Sequence, residues 1–258
     1  MSPEISSPEW NSKHAYSSIE DGRSKVRFAR HIVDTVTLKL GKLKRNRRKY
    51  IATKSSSLKL NIGCGLAVCP KWINIDGSLN ALIAGWPRVI HRIAYRLTGA
   101  KHYYSQEEYC RLLGEHIFIH HDLSYGIPIQ DKSAHFVYTS HFLEHLPRKQ
   151  AEALLQDAYR VLKPGGMLRV CVPDLEYALS LYASGEKEKM LGKYFFIDDD
   201  DSHYARHKYM YDFTMLQDML LQIGFSEITR CNFRAGKVPD IENLDNRPED
   251  TLFIEAVR

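Results

Sequence analysis

Apolar positions along the chain follow two spacings, a short continuous run and a recurrence every three or four residues. From Ser24 onward they fall at Val26, Ala29, Val33, Val36 and Leu40, one face of a helix that Ser24 is placed to cap. Residues 58–62 (LKLNI) make a run of strand length ending in the turn Gly63-Cys64-Gly65, and residues 72–76 (WINID) make a second. Residues 79–113 hold no strand pattern; Leu82, Val89, Ile93 and Leu97 predict helices broken at Pro87 and Gly99. Further strands are predicted at 117–120 and 136–139. Residues 148–162 then carry Ala151, Leu154, Leu155, Ala158, Val161 and Leu162 on one stripe, a helix stopped by Pro164-Gly165-Gly166. Residues 168–172 (LRVCV) read as a fifth strand ended by Pro173. Thr214 and Gln217 form a capping box ahead of Leu216, Met219, Leu220 and Ile223, and Gly224 closes that helix. Two late strands, 228–233 and 252–257, have no helical pattern between them.

Strand and helix in alternation predict an α/β sheet with helices on both faces and an antiparallel pair at one edge. The 258 residues allow one large domain or two small ones. No uncharged apolar run reaches the ~18–20 residues of a membrane helix, and the N-terminal Met1-Ser2-Pro3-Glu4 lacks a secretory core. Five scattered cysteines without a CxxC pair argue against a disulfide framework or a structural zinc. A cytoplasmic location is the expectation.

The net charge of +5 is uneven. Residues 23–50 hold eleven Lys and Arg against one acid, Asp34, so the rest of the chain sums to −5. Residues 1–57 are therefore read as a tail and a basic amphipathic helix, and residues 58–258 as the main domain. The helix could pack on that domain with its basic end solvated. It could instead touch anionic lipid through residues 24–50, or reach nucleic acid as a basic arm. An acidic body weakens the nucleic-acid reading.

Parallel sheets bind ligands beyond the carboxyl ends of their strands. Three predicted strand ends carry suitable groups. The first is Asn61-Ile62-Gly63-Cys64-Gly65. A dinucleotide loop would need a third glycine where Val68 stands, and an acid about 20 residues on; Asp76 comes only eleven after Gly65. A P-loop ending is absent. A short loop with an early acid suits a nucleoside without a pyrophosphate, its glycines beside an amino-acid portion and Asp76 accepting from both ribose hydroxyls. At the second end, Asp122 can accept from an adenine amine while Leu123 packs on the ring. The third is Ser140-His141.

The segments LKLNIGCG, WINID, HHDLSYGIPIQDKSAHFVYTSHFLEHL and RVLKPGGMLRVCVPDLE together resemble the class I S-adenosylmethionine-dependent methyltransferases, nearest to the type 11 branch. The likeness runs from about Leu58 to the C-terminus. It implies a Rossmann-like seven-stranded sheet, mostly parallel, with a reversed last strand, and S-adenosyl-L-methionine as cofactor. It implies that Asn61, Gly63, Cys64, Gly65, Asp76, Asp122, Leu123, Ser140 and His141 line the cofactor site. Asn61 stands where the family usually has an acid that indirectly holds the cofactor's ammonium. The helical insertion at about 79–113 is longer than the family pattern. The stretches HKYMYD (207–212) and LDNRPE (244–249) resemble bacterial members of uncertain substrate, some tied to glycan modification.

Methyl transfer from a sulfonium is an in-line displacement that needs no metal and gains rate from positioning. An alcohol acceptor also needs a base. Histidine is the natural candidate, and His207, with His145 second, is placed for it. Either could instead be structural, His207 by bonding Asp212 or a neighbouring loop. The acid run Asp198–Asp201 reads as a solvated loop, and no metal is expected. Cys64 has no cation beside it to lower its pKa and reads as a packing residue. The expected acceptor is a hydroxyl on a sugar, a glycan or a small molecule, or on a lipid-linked glycan if the basic helix meets a membrane. An RNA methyltransferase and a non-catalytic binding module on the same fold are the rival readings.

Overall fold

The strands of the computed structural model are β1 (Lys59–Ile62), β2 (Ile73–Asp76), β3 (Ile117–His120), β4 (Ala134–Ser140), β5 (Leu162–Pro173), β6 (Ser226–Cys231) and β7 (Thr251–Val257). They form one sheet in the order β3-β2-β1-β4-β5-β7-β6. β1 to β5 pair in parallel, and β7 runs antiparallel to both β5 and β6. This is the expected sheet with its reversed last strand. The structure describes residues 35–37, 39–44, 57–97, 99–195 and 206–258. The helix expected from Ser24 to Leu40 lies mostly outside them, as does the run Asp198–Asp201; residues 35–37 and 39–44 are helical.

Strand order reverses between β1 and β4, so their carboxyl ends open the crevice where such sheets bind ligands. Leu60, Ile62, Val137, Leu168, Val170 and Ile254 are buried on one face with the stripe Ala151, Leu154, Leu155, Ala158 and Val161 of α4 (Arg148–Val161). On the other face Trp72, Tyr138, Cys171 and Phe253 pack against Ile241 and Leu244. Apolar residues on both faces explain why these strands read as continuous runs. The insertion folds as α1 (Leu79–Ile83), α2 (Arg88–Leu97) and α3 (Gln106–Glu115), with a core of its own around Ile83, Ala94, Tyr109 and Leu113.

Three local expectations need correction. The helix α7 (Phe213–Ile223) is capped by Asp212, not Thr214: the Asp212 carboxylate accepts from Met215 N at 2.8 Å and from the Thr214 hydroxyl. β5 begins at Leu162 and runs through Pro164-Gly165-Gly166, so the glycines end the helix without breaking the strand. The pattern also missed α5 (Leu175–Ala183), α6 (Lys187–Met190) and α8 (Ile241–Leu244).

A buried charge network pins the far edge. Arg169 is fully buried, and all five of its N–H donors find acceptors. These are Asp245 Oδ1 and Oδ2 at 3.1 and 2.6 Å, Glu255 Oε1 at 2.9 Å, and the carbonyls of Ala235 and Asn232. Asp245 also accepts from the Tyr138 hydroxyl and from Arg234 N. The segment LDNRPE (244–249) thus supplies Asp245 to the core, where it is buried against Arg169.

Candidate functional site

β1 and β2 are joined by only ten residues, 63–72, with no helix among them. Parallel crossovers usually need a dozen or more, mostly helical. The glycine loop must therefore be held by side chains. Asn61 holds it from below: its amide donates to Ala67 O at 2.8 Å and to Asn74 Oδ1 at 3.0 Å, while Asn74 donates to Ile117 O at 3.1 Å. A carboxylate at position 61 could not donate to Ala67 and would be an unpaired charge in a closed site. Asn61 thus shapes the loop from a buried position.

Gly63 takes φ +67°, and a Cβ there would lie 2.2 Å from the Phe142 ring. The loop therefore touches the turn after β4. Gly65 takes φ +52°, and no described atom lies within 4 Å of its Cβ position, so this residue faces open space. Gly65 N donates to Asp76 Oδ2 at 2.9 Å, and Ser78 N to Asp76 Oδ1 at 2.7 Å. Next to Asp76 the Ser78 hydroxyl is buried without a partner among the described residues. Burial, then the Asp76 charge, push the Cys64 thiol well up, which fits a packing role.

At the end of β3, Asp122 Oδ1 accepts from Ser124 N at 2.9 Å, and Leu123 is buried. The N-terminal helical segment lies here. A Cβ on Gly41 would sit 2.9 Å from Asp122 Cβ, and Lys44 Nζ is 3.1 Å from His120 Nδ1. This part of the basic helix packs on the β3 end of the sheet.

The end of β4 holds a cluster that the sequence showed only as separate histidines. His141 adopts φ +49°, a conformation rare for a non-glycine and common at sites. Its N–H donates to Cys171 O, and its Nε2 lies 3.0 Å from Thr251 Oγ1. A tight turn, Leu143–His145, then brings Glu144 back beneath it. Glu144 is fully buried, with Oε1 at 3.4 Å from His141 Nδ1 and 3.8 Å from His145 Nε2. The strand-like segment 206–211 is stitched over this turn. Lys208 N and Tyr209 N donate to Glu144 O, and Leu175 N donates to Tyr211 O. His207 is thereby set against His145, ring centroids 5.2 Å apart. Of the two structural alternatives for His207, the bond is made to a neighbouring backbone carbonyl, Tyr194 O, and not to Asp212, which caps α7.

A carbonyl oxygen can only accept, so a ring nitrogen bonded to one carries the proton. His207 Nδ1 lies 2.9 Å from Tyr194 O, and His145 Nδ1 lies 3.2 Å from Arg206 O. In the neutral rings both Nε2 atoms keep a free lone pair. Burial lowers the His207 pKa, and Glu144 only partly offsets it. Burial alone would raise the Glu144 pKa, but the His141 and then the His145 imidazoles outweigh it and leave it lowered. Glu144 was overlooked in the sequence. The spacing His141, Glu144, His145, one turn of helix, was the signal that could have found it.

Residues 60–170 match a family model described as a methyltransferase domain, type 11. No curated protein matches by sequence. Similar solved structures include a SAM-dependent methyltransferase from Archaeoglobus fulgidus, 18% identical, over 88% of this chain and 94% of that one, TM-score 0.47. Another, from Thermotoga maritima, is described as a possible histamine N-methyltransferase; it is 15% identical over 95% and 98% of the two chains, TM-score 0.43. A phosphoethanolamine N-methyltransferase from Haemonchus contortus, bound to S-adenosylhomocysteine, is 15% identical over 87% of this chain and 52% of its own, TM-score 0.41.

Proposed function

We propose that this chain, residues 60–170 of which match a methyltransferase-domain model, transfers a methyl group from S-adenosylmethionine to a hydroxyl oxygen on a sugar or glycan. The residues at the carboxyl edge fit the cofactor. Gly65 faces open space, the buried Ser78 hydroxyl lacks a partner, and the Asp76 carboxylate keeps lone pairs beyond the two it gives to the loop. When bound, S-adenosylmethionine supplies an electrophilic methyl carbon. Gly63 and Gly65 line its methionine portion, Asp76 accepts from its ribose, and Asp122 and Leu123 hold its adenine. Ser140, the last residue of β4, and His141 stand beside it.

The observation that carries the hydroxyl reading is the pair of Nε2 lone pairs on His145 and His207, each fixed by a backbone carbonyl on the other nitrogen. An amine that arrives neutral needs no such groups, whereas a hydroxyl must lose its proton as the new O–C bond forms. The His–Glu cluster is the part of the site equipped to handle that proton.

A lipid-linked glycan is the favoured form of the acceptor. Trp86, Val89, Ile93 and Leu97 form an exposed apolar stripe on and just before α2, beside Arg88, Arg92 and Arg96. This composition suits a helix lying in an anionic membrane surface. It adds to the contact proposed for residues 24–50. No helix among the described residues is long and apolar enough to cross a membrane.

The test offers the purified chain methyl-labelled cofactor and three acceptors: polyprenyl-linked glycan in anionic vesicles, free nucleotide sugars, and RNA. The expected product is an alkali-stable methyl ether on glycan. His207→Gln should lower kcat by about 10²–10⁴-fold with cofactor affinity unchanged. Equal or faster labelling of RNA, or of an amine, would overturn the hydroxyl assignment. Tight cofactor binding with no transfer to any acceptor would favour a binding module.

A further inference from the structure

We propose that Glu144, His145 and His207 form a site for one first-row divalent metal ion, zinc or manganese rather than magnesium. The inference deepens the hydroxyl-transfer reading and rests on it for its chemistry, but not for its test. One ligand atom from each of the three residues lies within 4.8 Å of the other two. Donors sharing an ion at ~2.0–2.1 Å sit roughly 3.4 Å apart, so binding draws the three side chains inward.

Two independent features point to a cation. The first is the carboxylate. Glu144 is fully buried, and neither oxygen has a hydrogen-bond partner among the described residues. Its neighbours His141 and His145 approach only to 3.4 and 3.8 Å. These imidazoles favour the charge, yet neither oxygen has a hydrogen bond in place of the water it lost, which costs free energy. A bound cation removes that cost directly.

The second is the outer contact of each ring. Metal-bound histidines nearly always donate their other N–H to a carbonyl or carboxylate, which fixes the tautomer. His145 and His207 both do this, to Arg206 O and Tyr194 O, leaving Nε2 as the ligand atom. A pair of histidines serving only to pack would have no need to share one tautomer beside one buried carboxylate. Two imidazoles and one carboxylate favour first-row transition ions and zinc over magnesium.

Three protein ligands leave coordination positions open. The acceptor hydroxyl would fill one, and the ion would lower its pKa as it does for bound water. The O–H proton then leaves to solvent. The O–C bond forms as the S–C bond breaks, its electron pair passing to sulfur. His145 and His207 would then serve the proton's departure through the ion they hold, not by taking the proton themselves, so His207→Gln would still lower kcat. His141 Nδ1, beside Glu144, would steady the carboxylate.

The experiment uses the full chain, stripped with chelator, titrated calorimetrically with zinc, manganese or magnesium chloride. Bound metal per chain is also counted by mass spectrometry. One equivalent of zinc should bind, manganese more weakly and magnesium weakest. Glu144→Gln and His145→Gln should each weaken zinc binding at least tenfold, with His116→Gln as the unaffected control. His145 is partly exposed, so its variant keeps the test valid if Glu144→Gln fails to fold. Absence of saturable binding, or binding that both variants leave unchanged, overturns the site. Cofactor titration of the same samples separates the outcomes: a chain that binds S-adenosylmethionine but no metal loses this inference alone.

Discussion

Asp76→Asn separates what the carboxylate does for the loop from what it does for the cofactor. In the structure one oxygen accepts from Gly65 N and the other from Ser78 N. An amide of the same size offers one oxygen, so one of these N–H groups must face an –NH2 donor. Leaving a buried donor unmet costs about 1–3 kcal/mol, and the surviving bond loses its charge assistance, up to about half its strength. Together these lower stability by about 2–4 kcal/mol. For a chain of this length that is a drop in Tm of roughly 5–15 °C. The same substitution removes the charge from the ribose contacts, worth about 1.5–3 kcal/mol, or about 10–150-fold in Kd. Thermal unfolding followed by circular dichroism reads the first effect, and calorimetric titration with S-adenosylmethionine and S-adenosylhomocysteine reads the second. A folded variant binding both within threefold of the parent would refute the ribose assignment. An unchanged Tm would refute the loop-holding role.

Three further outcomes follow from the packing. Arg169→Met leaves Asp245 and Glu255 as buried carboxylates without the cation they share and should cost about 3–5 kcal/mol in urea unfolding; a loss below 1 kcal/mol would show that the network is dispensable. Gly63→Ala adds a Cβ into the Phe142 ring at φ +67°, for a loss of about 2–4 kcal/mol, whereas Gly65→Ala meets no described atom and should cost only the backbone strain while weakening cofactor binding. Burial lowers the pKa values of His120, His121 and His207 below their ordinary 6.5. Their contribution is therefore present above about pH 6.5 and lost as pH falls through the lowered folded values, because the unfolded chain takes up protons first. The urea midpoint should drop between pH 7.5 and 5.5, and a flat profile there would contradict it.

The sheet was legible in the sequence because each central strand is buried on both faces, which leaves a run of apolar residues wherever it lies in the chain. The α4 stripe and the Gly224 stop were legible for a similar reason: period and cap are local. The glycine loop and Asp76 could be read because their chemistry depends on short spacings at one strand end. The Asp212 cap was misplaced since Thr214-x-x-Gln217 offers the same local signal, and only the path of 206–212 over Glu144 decides between them. Asn61 looked like a departure from an acidic position; its reason, an amide ladder with Asn74 on the neighbouring strand, exists only once β1 and β2 are in register. Arg169 and Asp245 are 76 residues apart and carry no shared pattern. His207 lies 62 positions beyond His145, and nothing in either neighbourhood announces the other. Sequence alone determined what is periodic or adjacent. Tertiary structure decided which distant polar groups share one low-dielectric space, because only folding removes the water that would otherwise keep them independent.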